Sequence, residues 1–494
     1  MSTTSQTNKP PYLMLGILFF GAFVSFLNNS LMNVALPSIM IDLGIDDYAV
    51  VQWLSTGYML VSGILIPVSA FLITKFTNRS LFLMSMLLFT LGTVMSAFAP
   101  SFGMLLAGRM VQAAGSAVMS PLLMNVMLIS FPREKRGAAM GIFGLVMFVA
   151  PALGPTLSGY IVEYHHWRML FEMIIPFALI SLLLGFWKLE NVMDTRPTKL
   201  DYLSVVLSSL GFGGLLYGAS SASSSGWSDP IVISTLVAGA IAITLFVWRQ
   251  LKHDKPMLDL SVYKHPMFAL ASVIAVVNAA ALFSGMILTP AYVQSVRGIA
   301  PLDSGLMMLP GALIMGIMSP ITGKLFDKFG PRKMALVGMT ITAVGTFLLS
   351  DLQMDTAISY IVFLYSLRMF GISLVMMPIM TNGLNQLPTR LNPHGTAVNN
   401  TIQQVAGAIG TALFVTIMNA QADKKAAKLL VGLDPSVIDQ AQMAEITRTA
   451  LLSGVRFSFL IAAITTVVAL VLSLFVKRVD VSAAAVAKLE RDSA

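Results

Sequence analysis

The sequence predicts an all-α protein that crosses a membrane many times. Of its 494 residues, 56% are hydrophobic and only 11% are charged, and its mean hydropathy is +0.80. Soluble domains carry about 25% charged residues, so this composition excludes a soluble globular protein. The apolar residues also form long runs, each close to the ~20 residues that a spanning helix needs.

The apolar runs fall into a first group of six, a pair and a last group of six. The first six are 12–36, 49–73, 81–99, 102–130, 138–162 and 169–189. The pair is 202–220 and 230–251. The last six are 267–293, 303–325, 333–349, 357–380, 396–418 and 451–476. We therefore predict about fourteen transmembrane helices.

Lysine and arginine are concentrated in alternate loops, and this predicts the orientation of the chain. Basic clusters occur at 133–136 and 324–333, whereas the connections 222–229 and 351–355 contain no lysine or arginine. Because basic loops stay in the cytoplasm, we expect both termini inside. The chain has no cysteine, which is compatible with the plasma membrane of a bacterium.

A weak internal repeat predicts two bundles of six helices. Arg109 and Arg368 each open a helix that later carries a proline, and 323–333 resembles 70–79. Paired halves of this kind place the substrate site between them. The predicted regions are a cytoplasmic tail 1–11, a first bundle 12–190, an inserted hairpin 200–252, a second bundle 264–477 and a tail 478–494. Within the second bundle, we expect the outer segment 419–450 to form a small surface helix or hairpin.

The fifth run contains a dense series of glycine, alanine and proline. Such residues would break a helix in water, but in a bilayer they let a neighbouring helix approach closely. The series resembles the antiporter motif of proton-coupled drug exporters in the major facilitator superfamily. The matching residues are Gly144, Ala150, Pro151, Gly154, Pro155 and Gly159.

A second match to that family follows the tenth run and covers nearly all of its cytoplasmic-loop motif. The matching residues are Gly323, Asp327, Lys328, Gly330, Arg332 and Lys333. The resemblance implies a gate whose charged groups pair across helix ends and separate when the protein opens. In the first-half copy Thr74 replaces the acid, so we expect a weaker gate there. An ordinary basic loop is the alternative.

Arg109 lies well inside the fourth run, with Gln112 one turn later. A charge at that depth costs several kcal/mol unless it is paired or hydrated, so a functional role is the default interpretation. The family resemblance implies a role in proton coupling. The alternative is a structural arginine that binds helix carbonyl groups.

Trp167 and Arg168 resemble the family's signature at the start of the sixth helix, and Glu172 follows four residues after Arg168. That spacing places Arg168 and Glu172 on one helical face. Glu172 is the clearest carboxylate within an apolar run, and we hypothesise that it carries the coupled proton. The alternative is an ion pair with Arg168 at the membrane rim.

Amide side chains on several runs predict a neutral, hydrogen-bonding cavity. Asn28 stands where most relatives of this family have an aspartate, which favours neutral or anionic substrates over lipophilic cations. The predicted cavity residues are Asn28, Asn29, Asn33, Gln112, Asn399, Asn400, Gln403 and Gln404.

The sequence contains no glycine-rich phosphate loop and no paired histidines at zinc spacing, so we expect neither an enzyme nor a cofactor. The stretches 57–60, 67–74 and 151–159 resemble most closely the lincomycin-exporter branch of the fourteen-helix EmrB/QacA type. This resemblance implies a proton-coupled multidrug efflux transporter that works by alternating access. The expected partners are small-molecule substrates, protons and membrane lipids, without nucleic acid, and we expect a monomer. Two alternatives are an exporter of an endogenous anionic metabolite or lipid and a membrane sensor that does not transport.

Overall fold

The computed structural model describes residues 12–46, 48–193, 195, 200–253, 256–431 and 439–492. Across these ranges every regular element is helical, and fourteen segments are long and apolar enough to cross a membrane. The prediction of an all-α polytopic fold is therefore confirmed. The expected tail at 1–11 lies outside the described residues.

The first bundle contains six spanning segments, two of which are built from two consecutive helices. The chain turns at 117–118 between α4 and α5, and at Met173 between α7 and α8. The helices are α1 (Tyr12–Asp42), α2 (Tyr48–Lys75), α3 (Asn78–Ala97), α4 (Phe102–Ser116), α5 (Met119–Ser130), α6 (Arg136–Tyr164), α7 (Met169–Glu172) and α8 (Ile174–Lys188).

The inserted hairpin consists of α9 (Tyr202–Ser225) and α10 (Pro230–Lys252). Asp201 fastens its open end. One carboxylate oxygen accepts the N–H of Ser204 at 3.3 Å and so caps α9. The same carboxylate accepts Nε and Nη2 of Arg249, near the end of α10, at 2.8 and 3.0 Å. This bidentate pair holds the two helices of the hairpin together.

The second bundle contains the remaining six spanning segments and a short helix after them. The helices are α11 (Pro266–Pro290), α12 (Pro301–Phe329), α13 (Pro331–Leu349), α14 (Ile358–Asn385), α15 (Asn392–Leu430), α16 (Gln440–Ser473) and α17 (Ala483–Asp492). Most of the predicted outer segment 419–450 forms the far ends of α15 and α16 rather than a separate surface helix. Residues 432–438 lie outside the described part of the chain.

Helices of the two bundles meet along two seams. At the first seam, α6 packs along α12. At the second, α2 packs along α15, and α9 of the inserted hairpin contacts both of these helices. Trp227, in the turn of the hairpin, also donates a hydrogen bond to Thr416 of α15. The inserted hairpin therefore covers the second seam.

The two ends of the helical assembly differ in charge. We call the end that holds Arg133, Lys188 and Lys328 the basic end, and the other the opposite end. The largest apolar cluster joins the first bundle to Leu384, in the last turn of α14 at the basic end, and to Leu387 just after that helix. The last described helix also lies there, because Glu490 of α17 contacts Arg133. The bundles are therefore packed together at the basic end.

Candidate functional site

A cavity of about 430 Å³ lies between the two bundles. Helices α1, α2, α4, α5 and α6 line it from the first bundle, and α11, α12, α14 and α15 line it from the second. Among the described residues, no Asp, Glu, Lys, Arg or His contributes to this lining. The cavity therefore offers hydrogen bonds and apolar contacts rather than ion pairs.

Polar side chains gather on one side of the cavity, which we call the polar wall. Here α15 packs against α2 and α5, and Ser120 Oγ donates a 2.9 Å hydrogen bond to Asn400 Oδ1. The polar wall consists of Asn29, Tyr58, Ser62, Ser116, Ser120, Asn400, Gln403 and Gln404. Four of the predicted amides, Asn29, Asn400, Gln403 and Gln404, therefore lie at the cavity.

The other side, which we call the apolar wall, comes from α6, α11, α12 and α14. Tyr365 is the exception to its apolar character. The wall includes Met147, Phe148, Phe283, Met286, Met308, Met315, Met369 and Met376. Methionine side chains adapt their shape easily, so this wall can fit apolar groups of different outline.

The remaining predicted cavity residues lie elsewhere. Asn28 and Gln112 bind the buried Arg109 and do not line the cavity. The Asn399 amide contacts a methionine sulfur of α14. Asn33 belongs to α1, but its side chain lies outside the described residues. The sequence therefore indicates which helices carry amides, but the packing of the helices decides which neighbour each amide faces.

Arg109 is fully buried, with 0% of its surface exposed. Its Nη1 donates to Asn28 Oδ1 at 2.9 Å and to Gln112 Oε1 at 2.6 Å. The guanidinium carbon stands 4.3 Å from the ring centre of Tyr58, a residue of the polar wall. Gln112 is held in turn by a 2.8 Å bond to Thr93. Arg109 thus lies one layer behind the wall, in contact with it through an aromatic ring.

Arg368 occupies a matching place in the second bundle and is also 0% exposed. Its Nε donates to Thr346 Oγ1 and its Nη2 to Ser284 Oγ, both at 3.0 Å. The weak repeat indicated that Arg368 corresponds to Arg109, but it gave no partners. Tyr365, one turn before Arg368 on α14, lines the cavity. The i, i+3 spacing of Tyr365 and Arg368 was the available signal for this arrangement.

At the basic end, Asp327 of α12 caps the first turn of α6. Its carboxylate oxygens accept the backbone N–H groups of Gly137 and Ala138 at 3.1 and 3.0 Å. The helices touch closely here, because a Cβ built on Gly323 would lie 2.1 Å from the Gly137 carbonyl oxygen. The carboxylate meets the positive end of the helix dipole and satisfies two N–H groups that the helix leaves free.

The rest of the predicted loop motif lies outside this contact. Gly330 has φ of 80° and separates α12 from α13, which requires glycine. Arg332 and Lys333 are exposed at the start of α13, and the Lys328 ammonium lies 5.3 Å from the Phe329 ring centre. The expected pairing of acid with bases is therefore replaced by an acid bound to a helix end.

Two arginine side chains, that of Arg133 just before α6 and that of Arg136 at its first residue, reach the second bundle. Arg133 donates to the carbonyl groups of Asn385 and Leu387 at 2.9 and 3.0 Å. Arg136 donates to Asn385 Oδ1 at 3.1 Å. Sequence reasoning assigned these residues only to topology and missed this role. Together with Asp327, these contacts close the cavity towards the basic end.

Helix α17 adds to this closure through one carboxylate. Glu490 Oε1 lies 3.2 Å from Nη2 of Arg133, which belongs to the first bundle. The same oxygen accepts the N–H and the hydroxyl of Thr389 in the second bundle, at 3.0 and 2.8 Å. We call the contacts of Asp327, Arg133, Arg136 and Glu490 the gate.

The residues of the predicted antiporter motif lie where α6 packs against two neighbours, α1 and α12. A Cβ on Gly144 would meet Ser319 of α12, one on Gly154 would meet Ser30 of α1, and one on Gly159 would meet Leu302 of α12. Pro151 and Pro155 line the cavity. Small residues thus permit close approach on both sides of α6, as the pattern indicated.

Glu172 lies at the opposite end, exposed and away from the cavity lining. The suggested ion pair with Arg168 is not formed in the described structure. Arg168 instead pairs with Asp42 at 2.7 Å and donates to the Ala99 carbonyl at 3.0 Å. Trp167 donates to the same Asp42 carboxylate at 3.0 Å. Trp167 and Arg168 therefore connect the segment before α7 to the end of α1 and to the residues after α3.

Comparisons with known proteins agree with this architecture. A family model described as Major Facilitator Superfamily matches residues 18–411. An uncharacterized MFS-type transporter of Bacillus subtilis, YhcA, is 51% identical over 84% of this chain and 78% of its own. The lincomycin resistance protein LmrB of Listeria monocytogenes is 42% identical over 97% of this chain and 99% of its own. The crystal structure of the human organic anion transporter MFSD10 matches 93% of this chain and 100% of its own, with a TM-score of 0.63 and 13% identity, which establishes the fold alone.

Proposed function

We propose that this chain, which belongs to the major facilitator superfamily, is a drug efflux transporter. It exports amphipathic small molecules in exchange for protons. The observation that carries the proposal is the cavity between the bundles, with its uncharged polar wall and methionine-rich apolar wall. An amphipathic molecule can place its polar part on one wall and its apolar part on the other.

The relatives indicate which substrate to test first. Relatives named for lincomycin resistance and for multidrug resistance support drug efflux. Lincomycin joins a hydroxyl-rich sugar to an alkylated ring, so it presents groups that suit both walls. We propose lincomycin as the first substrate.

Transport proceeds by rocking of the two bundles about the cavity. The gate at the basic end supports this step, because each of its contacts joins one bundle to the other. Opening towards the basic end must release Asp327 from α6 and Arg133 from Asn385. The gate is therefore the element that changes between the two access states.

The basic end faces the cytoplasm of a bacterial cell, and the protein works as a monomer in the plasma membrane. The support for this orientation is the basic loops between the spanning segments. Both described ends of the chain then lie in the cytoplasm.

Proton entry drives export. Each unit charge that crosses the membrane gains about 2.3 kcal/mol per 100 mV. Arg109 links the cavity to this process, because a substrate at Tyr58 touches the ring on which the guanidinium lies. Glu172 is the sequence-based candidate for the proton carrier, but it is exposed and does not line the cavity, so we expect it to contribute little to the coupled flux.

The proposal is tested with purified protein in proteoliposomes under an imposed pH gradient. Lincomycin is added, and proton movement is followed with a trapped pH-sensitive dye. We expect lincomycin-dependent proton movement in the wild type and its loss in Arg109→Ala, with lincomycin binding measured separately for both proteins. If wild type neither binds lincomycin nor moves protons in response to it, the proposal is overturned and a membrane sensor is favoured.

A further inference from the structure

Among the described residues, two guanidinium groups are buried in the membrane interior without a carboxylate partner. Arg109 binds Asn28, Gln112 and the Leu54 carbonyl, and all three acceptors are neutral. Neither it nor Arg368 forms an ion pair with a carboxylate in the described part of the chain. An arginine stays protonated in proteins, so both positive charges persist.

The second arginine is bound in the same way. Arg368 donates to Thr346, Ser284 and the Ala281 carbonyl, again all neutral. Each arginine also keeps one buried nitrogen without an acceptor in the described structure, Nη2 of Arg109 and Nη1 of Arg368. Their charges are therefore dispersed over hydrogen bonds but not cancelled.

Both charges stand close behind the cavity. Arg109 lies against the ring of Tyr58, and Arg368 binds α11 at Ser284, between the lining residues Phe283 and Met286. The lining itself supplies no carboxylate among the described residues. In surroundings of low dielectric constant, charges one residue layer away act strongly on a bound molecule. The cavity therefore has a positive potential.

We infer that the cavity selects amphiphiles in an uncharged or anionic form, so that lincomycin enters as its neutral amine, and that it excludes permanent lipophilic cations. The inference rests on the proposed function for the location of the substrate site. Amide and hydroxyl groups of the polar wall donate hydrogen bonds to an uncharged or anionic acceptor. A cation meets no carboxylate there and is repelled by Arg109 and Arg368.

Asn28 sets this selectivity, because it contacts Arg109 without changing the local charge. Its Oδ1 accepts from the guanidinium at 2.9 Å, so Asn28→Asp would place a carboxylate of nearly the same shape at the same position. Ser284→Asp would place a larger side chain with a carboxylate beside Arg368. Each substitution cancels one of the two buried charges and should admit cations.

The test uses two ions of the same size and shape but opposite charge, tetraphenylphosphonium and tetraphenylborate. Their binding to purified protein in maltoside micelles is measured by titration calorimetry and corrected with protein-free micelles. We expect the borate to bind wild type at least about tenfold more tightly than the phosphonium. The ratio should fall by about tenfold in Asn28→Asp and in Ser284→Asp.

Asn191→Asp is the control, because it makes the same chemical change in an exposed loop at the basic end. It should leave the ratio unchanged. If wild type binds the phosphonium as tightly as the borate, the inference is overturned, whether or not either variant folds. Lincomycin-dependent proton movement would then still support export, so failure of the inference is separable from failure of the proposed function.

Discussion

The Asp327 carboxylate accepts the backbone N–H of Gly137 at 3.1 Å, although the two residues belong to different bundles. A negative charge at a helix N-terminus is stabilising because it complements the partial positive charge there. This contact exists only while the bundles are closed at the basic end. Its strength therefore contributes directly to the balance between the two access states.

Replacing Asp327 by asparagine should open the gate more often. The substitution removes the charge that caps α6, which is worth about 1 kcal/mol and corresponds to about fivefold in population. Because the chain has no native cysteine, Ala117→Cys in the cavity lining is a clean reporter. We expect faster labelling by a membrane-impermeant maleimide in inside-out vesicles. Lys328→Gln is the matched control, and equal labelling of the two variants would contradict this role for Asp327.

Gly323→Ala should prevent the gate from closing. The new methyl group would lie 2.1 Å from the Gly137 carbonyl oxygen, and overpacking of this kind costs about 1–3 kcal/mol. We expect a strong loss of lincomycin export with protein still present in the membrane. Gly103→Ala on α4 meets no neighbouring atom within 4 Å, lies outside the cavity lining, and should export normally. Loss of export in both variants would show that close contact of the new methyl group at Gly323 is not the cause.

Glu490→Gln should weaken the same gate by a smaller amount. The ion pair with Arg133 is partly exposed, with 37% of the glutamate side chain accessible, and such pairs contribute about 0.2–1 kcal/mol. The Ala117→Cys reporter should therefore label up to about fivefold faster at low salt, and the difference should shrink in high salt. Arg491→Gln changes the next residue and should have no effect. A salt-independent difference would show that the charge is not responsible.

Glu172→Gln should retain most of the coupled proton flux. The side chain is exposed, and no described hydrogen bond or ion pair connects it to the cavity. Lincomycin-triggered proton movement in proteoliposomes checks this expectation, with Glu163→Gln as a second exposed carboxylate on the opposite end. Selective loss of flux in Glu172→Gln, with lincomycin binding intact, would instead support Glu172 as the proton carrier.

The ion pair of Asp201 should make the inserted hairpin sensitive to acid. Hydrogen bonds from Arg249 hold the pKa of Asp201 well below its ordinary value of 3.8. Since the pKa is lowered on folding, the stabilisation is complete above the ordinary value and is lost as the pH falls towards the folded value. We expect Asp201→Asn to lower stability by about 1–2 kcal/mol at pH 7.

Thermal unfolding in detergent at several pH values checks this expectation. The difference between wild type and Asp201→Asn should persist down to about pH 4 and narrow only below it. Asp229→Asn is the control, because Asp229 caps α10 through Ile231 without an arginine partner. A difference that vanishes already near pH 6 would exclude this ion pair as the cause.

The number and place of the helices could be predicted from the sequence, because a spanning helix satisfies its own backbone hydrogen bonds and needs a long apolar run. The amides of α15 at the cavity, Asn400, Gln403 and Gln404, could also be recognised, since a spacing of three or four residues places side chains on one helical face. The gate was visible only in part. Asp327 stood out in a motif, whereas Arg133 is separated by 252 positions from its partner Asn385.

Local spacing was misleading where the chain changes direction. Arg168 and Glu172 are four residues apart, which would align them within a helix. Arg168, however, precedes the first residue of α7, and its side chain turns to Asp42 on α1. Asn28 and Asn29 are likewise adjacent residues of α1. The packing of α4 against α1 decides which of them contacts Arg109.

The close approach of Gly137 and Gly323 has a consequence for the energetics of each transport cycle. Neither residue has a side chain, so the direct contact between them is made by backbone atoms, with the side chains of Asp327 and Phe326 beside it. Fixing a long side chain in one rotamer costs side-chain conformational entropy, and glycine has no side-chain entropy to lose. These two residues can therefore separate and rejoin with no side-chain rotamer of their own to release or to restore, whereas the Asp327 carboxylate beside them must leave and rejoin the N–H of Gly137. In each transport cycle the glycine contact can therefore re-form with the same backbone geometry, and the side chain that has to be reordered for the gate at this point is that of Asp327.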